Sequence, residues 1–173
     1  MVFAIANWAS TPQPFQVQFV RSALGQTVTV CIDGEKVEQT FAGKMQFRDE
    51  NHAWQSVCAD VRSPVAAKQI FTVRALRSSK VGGNIALAGN IVAKYFNSAQ
   101  TPDQCAGLQI AIWKMIEDGP DATSFATGRF QVMASPAVIA YAQQYYQDSK
   151  VPGEASFIQT SLAPGQSQLS SLT

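Results

Sequence analysis

The chain has 173 residues, of which 46% are hydrophobic and only 14% charged, and its net charge is +1. That length suits a single domain, and the apolar share is enough for a core. The near-neutral balance gives no basic patch, which speaks against a nucleic-acid partner, and no apolar run is long enough to cross a bilayer as a helix.

The first 80 residues read as strands. Phe15 to Val20 alternates apolar and polar, the period of a half-buried strand. Gly25 is expected to break it. Thr27 to Ile32 is β-branched, and Asp33-Gly34 is a strong hairpin turn, with Lys36 to Phe41 returning along it. Ala42-Gly43 punctuates, and Lys44 to Arg48 alternates again. Asp49 to Asn51 turns the chain into a strand from Ala53 to Val61, closed by Ser63-Pro64. Gln69 to Leu76 is a further strand.

The middle of the chain is helical. After Gly82-Gly83-Asn84, residues Ile85, Ala88, Ile91, Val92, Tyr95 and Phe96 share one helical face. The helix that follows, from Thr101 to Gly119, has clean ends. Thr101 can cap it, Pro102 suits its first position, Gln104 completes a capping box, and Gly119 stops it. Its interior is apolar nearly all round, apart from Gln109. Ser135-Pro136 opens a third helix running to about Gln147, preceded by a short strand from Arg129 to Met133. The expected fold is α+β, an antiparallel β-sandwich or barrel with a helical subdomain of about three helices. It forms one domain over residues 1–165: mainly β over 1–80, mainly helical over 82–150, with a return strand over 155–163. Residues 166–173 read as a tail or linker.

Candidate chemistry rests on few residues. The cysteines are Cys31, Cys58 and Cys105, and an odd count leaves at least one outside any intrachain disulfide. With no CxxC and His52 as the only histidine, neither a metal site nor a Ser-His-Asp triad is supported, and no cofactor is implied. A buried Gln109 must be hydrogen-bonded or chemically used, since an unpaired amide costs roughly 1–3 kcal/mol. Cys105 lies four residues before it, on the same helical face. A Cys58–Cys105 disulfide is therefore one pairing to consider, and Cys31–Cys105 another.

The segments AWQSVCADV and CAGLQIAIWKMIEDG together resemble bacterial thioester domains, adhesin-like modules of surface proteins. Cys58-Ala59-Asp60-Val61 matches the strand motif, with Val57 where an aromatic is usual. Gln109-Ile110-Ala111-Ile112-Trp113 matches the helix motif, with Leu108 in place of Thr. The preceding GNIALAGNIVAKYFNSAQTPDQCAGLQ is similar to the helical hairpin of such domains in exosortase-sorted surface proteins. The resemblance covers about residues 27–150. It implies an internal thioester between Cys58 and Gln109, attacked by amines or hydroxyls on a partner protein or surface glycan. It implies supporting roles for Trp113, Ala111, Asp60 and Trp54, with Tyr95 also in the water-excluding shell. It further implies an extracellular or cell-surface location, with signal and anchor outside this sequence. The low-charge, Gln/Ser/Thr-rich composition agrees with such a location. The short, non-basic Met1 to Asn7 segment does not read as a signal peptide. The module is expected to be a monomer and a single-turnover reagent.

Two other readings stand beside this one. In the first, the same fold binds non-covalently, with Cys58 free or disulfide-linked. In the second, Cys58 is the nucleophile of a hydrolase, for which His52 is the only imidazole.

Overall fold

A computed structural model describes residues 13–160 and 167–172. Over these residues the fold is α+β: a seven-stranded antiparallel sheet with four helices. The strands are β1 (Phe15–Ile32), β2 (Glu35–Arg48), β3 (Ala53–Cys58), β4 (Ile70–Arg77), β5 (Phe130–Met133), β6 (Ala155–Thr160) and β7 (Gln168–Ser171). The helices are α1 (Ser78–Val81), α2 (Gly83–Tyr95), α3 (Pro102–Asp118) and α4 (Pro136–Gln147). Among the described residues no helix is long and apolar enough to cross a membrane.

The strand order β2-β3-β7-β6-β4-β1 closes on itself, because β1 also pairs with β2, and β5 extends the sheet beside the second half of β1. The β portion is thus a closed barrel, the architecture that leaves fewest unpaired edges. The β1–β2 hairpin turns at Asp33-Gly34, both with positive φ, as their sequence predicts.

Three expectations change here. Gly25 does not end its strand; β1 runs through it for 18 residues, and β2 likewise runs through Ala42-Gly43. Gly25 and Gly43 face each other across the ladder, beside register shifts. A Cβ on Gly25 would lie 2.1 Å from the Ala42 carbonyl oxygen. Glycine is needed there for close backbone approach, and irregular pairing keeps the two strands joined. The strand begun at Ala53 ends at Cys58 rather than Val61. Asp60 turns the chain by accepting from the Arg62 backbone N–H at 2.9 Å and the Ser63 hydroxyl at 2.6 Å. The expected tail contains β7, which lies between β3 and β6 and buries Leu169. Of the return strand predicted over 155–163, residues 155–160 form β6 and the remainder lies outside the described residues.

Helix α3 packs between the β1–β2 side of the barrel and helices α2 and α4, and is buried at every residue from Cys105 to Met115. The capping box forms as its sequence requires: Thr101 Oγ1 accepts from the Gln104 N–H at 3.2 Å, and Gln104 Oε1 accepts from the Thr101 N–H at 3.1 Å. At the other end the Gly119 N–H donates to the Met115 carbonyl. Helix α2 buries Ala88, Ile91 and Val92 on the predicted face, and α4 is capped by Ser135.

Two contacts fix α3 along β1. Near its start Asp103 is bonded by Gln26, and near its end Arg62 joins Glu117 to Asp33. The second half of β1, from Gln26 to the turn at Asp33, therefore runs alongside residues 103 to 117 of the helix. This sets the longitudinal position of every side chain on α3 against the barrel wall.

Candidate functional site

Cys105, Gln109 and Trp113 are spaced four apart and so form one stripe along α3. Cys58, the last residue of β3, meets this stripe at its centre. The Gln109 carboxamide is bonded to the Cys58 backbone in both directions. Oε1 accepts from the Cys58 N–H at 2.7 Å, and Nε2 donates to the Cys58 carbonyl at 2.7 Å. The amide thus behaves as one more peptide group in the ladder. Both residues are fully buried.

The Cys58 side chain turns toward the loop that follows the strand. Its thiol donates to the Asp60 carbonyl at 2.9 Å, and the Asp60 backbone N–H donates to the sulfur at 3.2 Å. Burial pushes this thiol far above its ordinary range. The Trp113 indole N–H and the Asp60 backbone N–H pull in the opposite direction by favouring the thiolate, and the Asp60 carboxylate adds to the rise. Burial thus favours the neutral thiol, with the Asp60 N–H already pointed at the sulfur.

Trp113 has no hydrogen-bond partner for its buried Nε1. An orphaned buried donor costs about 1–3 kcal/mol, so its presence in a packed core calls for a reason. The ring is held against Phe130, with centroids 6.0 Å apart.

The loop that follows Cys58 lies against the site as a lid, its Asp60 backbone bonded to the sulfur. The chain after Cys58 is tied down by the Ala59 N–H bonded to the Ser167 carbonyl, and then by Arg62, which reaches Asp33 at 2.8 Å and Glu117 at 3.0 Å. Arg129 also binds Asp33 at 2.8 Å. Hydrogen bonds from Arg129 and Arg62 lower the Asp33 carboxyl to about 2. A surface cavity of about 550 Å³ opens beyond the C-terminal end of α3, between Pro120, Phe125, Gln143 and Tyr146, and neither Cys58 nor Gln109 lines it.

Of the residues singled out by sequence, Cys58, Gln109, Asp60 and Trp113 are brought together. The others are placed elsewhere. Trp54 lies four residues back along β3, about 13 Å at strand rise, and stacks on Phe47 at 5.2 Å. Tyr95 packs on Tyr145 and bonds Asp148. Ala111 is buried two residues beyond Gln109, which puts it on the other side of the helix. These three form no part of the shell around Cys58. The three cysteines are free thiols in this structure. Cys105 donates to the Ala99 carbonyl at 3.3 Å, beside Lys44, whose ammonium is bonded to the same oxygen at 2.7 Å. Cys31 pairs with Gln131 in the ladder, near Asp33 and so near the far end of α3. Cys31 and Cys105 are therefore more than two helical turns apart, too far for a disulfide. Nor is Cys58 paired with Cys105, since each sulfur bonds its own carbonyl. His52 caps the opposite end of β3, exposed, with its N–H on Asp49; about 20 Å of strand separates it from Cys58.

Three features escaped the sequence reading. Gln168, in the segment taken as a tail, lies opposite Cys58 in the ladder and accepts from the Ser56 hydroxyl at 3.0 Å. Lys44 is buried on β2. Lys114 is buried in the centre of α3, where it binds Asp118 and the Thr127 and Phe130 carbonyls. Only Lys114 carried a signal, its spacing of four from Asp118. Among the described residues no group of three or more His, Cys, Asp or Glu is placed to hold a metal ion.

No protein-family model matches the chain, and no curated protein or solved structure matches it either.

Proposed function

We propose that this protein is an adhesin-like module of a bacterial surface or secreted protein, of the thioester-domain kind, which forms an internal Cys58–Gln109 thioester and uses it to attach covalently to an amine-bearing partner. The observation that carries the reading is the two-way bonding of the Gln109 amide to Cys58, the residue that also bears a free thiol. An amide is a poor electrophile in water. Here a strand end and a buried helix hold it against the backbone of the residue that bears the nucleophile, in a space closed to solvent. The Cys58 N–H already donates to the amide oxygen and so polarises the carbonyl in the sense an oxyanion donor requires.

In the reaction, the Cys58 sulfur adds to the side-chain carbonyl carbon of Gln109, and ammonia leaves with the thiol proton. An incoming amine later adds to the same carbon and expels the sulfur, which recovers a proton from that amine. The products are an amide crosslink and a free Cys58 thiol. The partner is a protein or surface glycan presenting amines, with hydroxyls as competing nucleophiles. Full burial of both residues means that the loop bearing Arg62 must open before a partner can enter.

A second reading rests on the same pair of bonds. Both polar atoms of Gln109 are satisfied, which suits a purely structural tie between α3 and β3 in a module that binds without covalent chemistry. The intact mass under denaturing, reducing conditions separates the two. A protein lighter than its sequence by one ammonia, with the deficit replaced by one methylamine on treatment and absent in Cys58→Ala, supports the thioester. Freshly prepared protein at its full sequence mass, with no methylamine uptake, leaves the structural tie. The hydrolase reading has no geometric support from His52, and His52→Ala is expected to leave methylamine uptake unchanged.

A further inference from the structure

We propose that the Trp113 indole N–H is a hydrogen-bond donor reserved for the Cys58 sulfur in its charged form, so that Trp113 is a catalytic residue of thioester formation and capture. This rests on the reading of Cys58 and Gln109 given above, and concerns the fate of the sulfur rather than that of the amide.

Three observations lead to it. Trp113 stands one helical turn beyond Gln109 on the same stripe, so its ring shares the compartment of the reacting pair. Its Nε1 is buried and unpartnered, although every other buried side-chain nitrogen and oxygen among the described residues has a partner. The indole favours the Cys58 thiolate, and in the resting geometry it makes no hydrogen bond. A thiol sulfur is a weak acceptor and a thiolate a strong one. A donor left unsatisfied in the resting state and satisfied when charge develops stabilises the transition state more than the ground state, which is the condition for acceleration.

The chemistry has two moments of sulfur charge. In formation, the S–H bond breaks, the electron pair attacks the Gln109 carbon, and the proton leaves with ammonia. In capture, the amine nitrogen bonds to that carbon and the C–S bond breaks. Its electron pair stays on sulfur until the amine's proton arrives. The backbone N–H of Asp60 already points at the sulfur in the resting state. Trp113 is the donor held in reserve, and its ring position is fixed by Phe130.

The test compares wild type, Trp113→Phe and Cys58→Ala. Phe keeps the ring volume nearest to the indole and removes the N–H. Where it fails to fold, the benzothienyl analogue of tryptophan at the same position replaces the N–H by sulfur at nearly constant size. Methylamine capture, followed by mass, is expected to slow at least tenfold in the variant lacking the N–H, with far-UV circular dichroism unchanged. The indole ¹⁵N–¹H resonance of Trp113 is expected to move when Cys58 becomes Ala. Wild type that captures methylamine with Trp113→Phe matching its rate overturns the role of Trp113 and leaves the thioester standing. Wild type that shows neither ammonia loss nor capture removes the thioester and, with it, the catalytic role. An indole resonance indifferent to Cys58→Ala overturns the indole–sulfur contact by itself.

Discussion

Gln109 and Cys58 illustrate how differently two neighbours in one site respond to substitution. Gln109→Ala removes both partners of the Cys58 backbone and leaves a buried N–H and a buried carbonyl unpaired. At about 1–3 kcal/mol for each orphan, the expected loss is roughly 2–6 kcal/mol, measured by urea unfolding. Cys58→Ala leaves both of those bonds in place, because they are made by the backbone. Its expected cost is about 1 kcal/mol, the order of one buried methylene. Equal losses in the two variants would contradict the assignment of the amide to the Cys58 backbone. Lys114 is the other demanding residue. Its ammonium is buried against Asp118, which also accepts from the Arg129 backbone N–H. Lys114→Ala strands that carboxylate, and a loss of about 3–5 kcal/mol is expected.

Helix α3 is the element on which the site depends, and its tolerances are set at both its surface and its ends. Gly107 lets it pack tightly on α4: a Cβ there would lie 2.6 Å from the Tyr141 Cβ and 3.0 Å from the Ala142 backbone nitrogen. Gly107→Ala gains helix propensity yet must push α4 away, and a net destabilisation of about 1–3 kcal/mol is expected from the overpacking. Thr101→Ala removes one half of the capping box and is expected to cost about 1 kcal/mol. Both effects are read from thermal or urea denaturation. A neutral Gly107→Ala would mean that the two helices leave room for a Cβ between them. Strand β7 has comparable weight despite its four residues. Leu169 is fully buried, so Leu169→Ala is expected to cost about 2–5 kcal/mol, which no tail residue would.

Across the whole molecule, a cluster of surface ion pairs ties down the lid after Cys58. Arg62, Arg129, Asp33 and Glu117 bring together residues from the barrel hairpin, the lid, the end of α3 and the start of β5. These ion pairs are largely exposed, so Arg62→Ala is expected to change global stability by less than about 1 kcal/mol. The same change is expected to speed methylamine capture or alkylation of Cys58 by freeing the lid. Unchanged access would show that the lid is held by other contacts. The pH dependence has a definite sign. The Asp33 carboxyl is depressed to about 2 by Arg129 and Arg62. Its contribution to holding the lid is therefore complete above the unfolded value near 4 and is lost as pH falls from there through about 2. The amide-exchange protection factors of residues 60–63 are expected to fall over that acid range and to be flat above it.

The sequence by itself determined the elements whose signals are local. The capping box of α3, the Asp33-Gly34 turn, the apolar face of α2 and the Ser135-Pro136 start of α4 all depend on residues within a few positions of one another. An α3 apolar nearly all round could lie only inside a domain, and so Gln109 could be marked as buried. The tertiary structure decided whatever depends on pairing between distant segments. Gly25 reads as a strand breaker until Gly43 is set opposite it. Gln168 reads as a tail residue until β7 closes the barrel beside Cys58. Trp54 and Ala111 lie within the matching segments, but strand rise and helical rotation carry them away from the sulfur. The orphaned N–H of Trp113 has no sequence signature. Whether a donor finds a partner is settled by what the fold places within three ångströms or so of it.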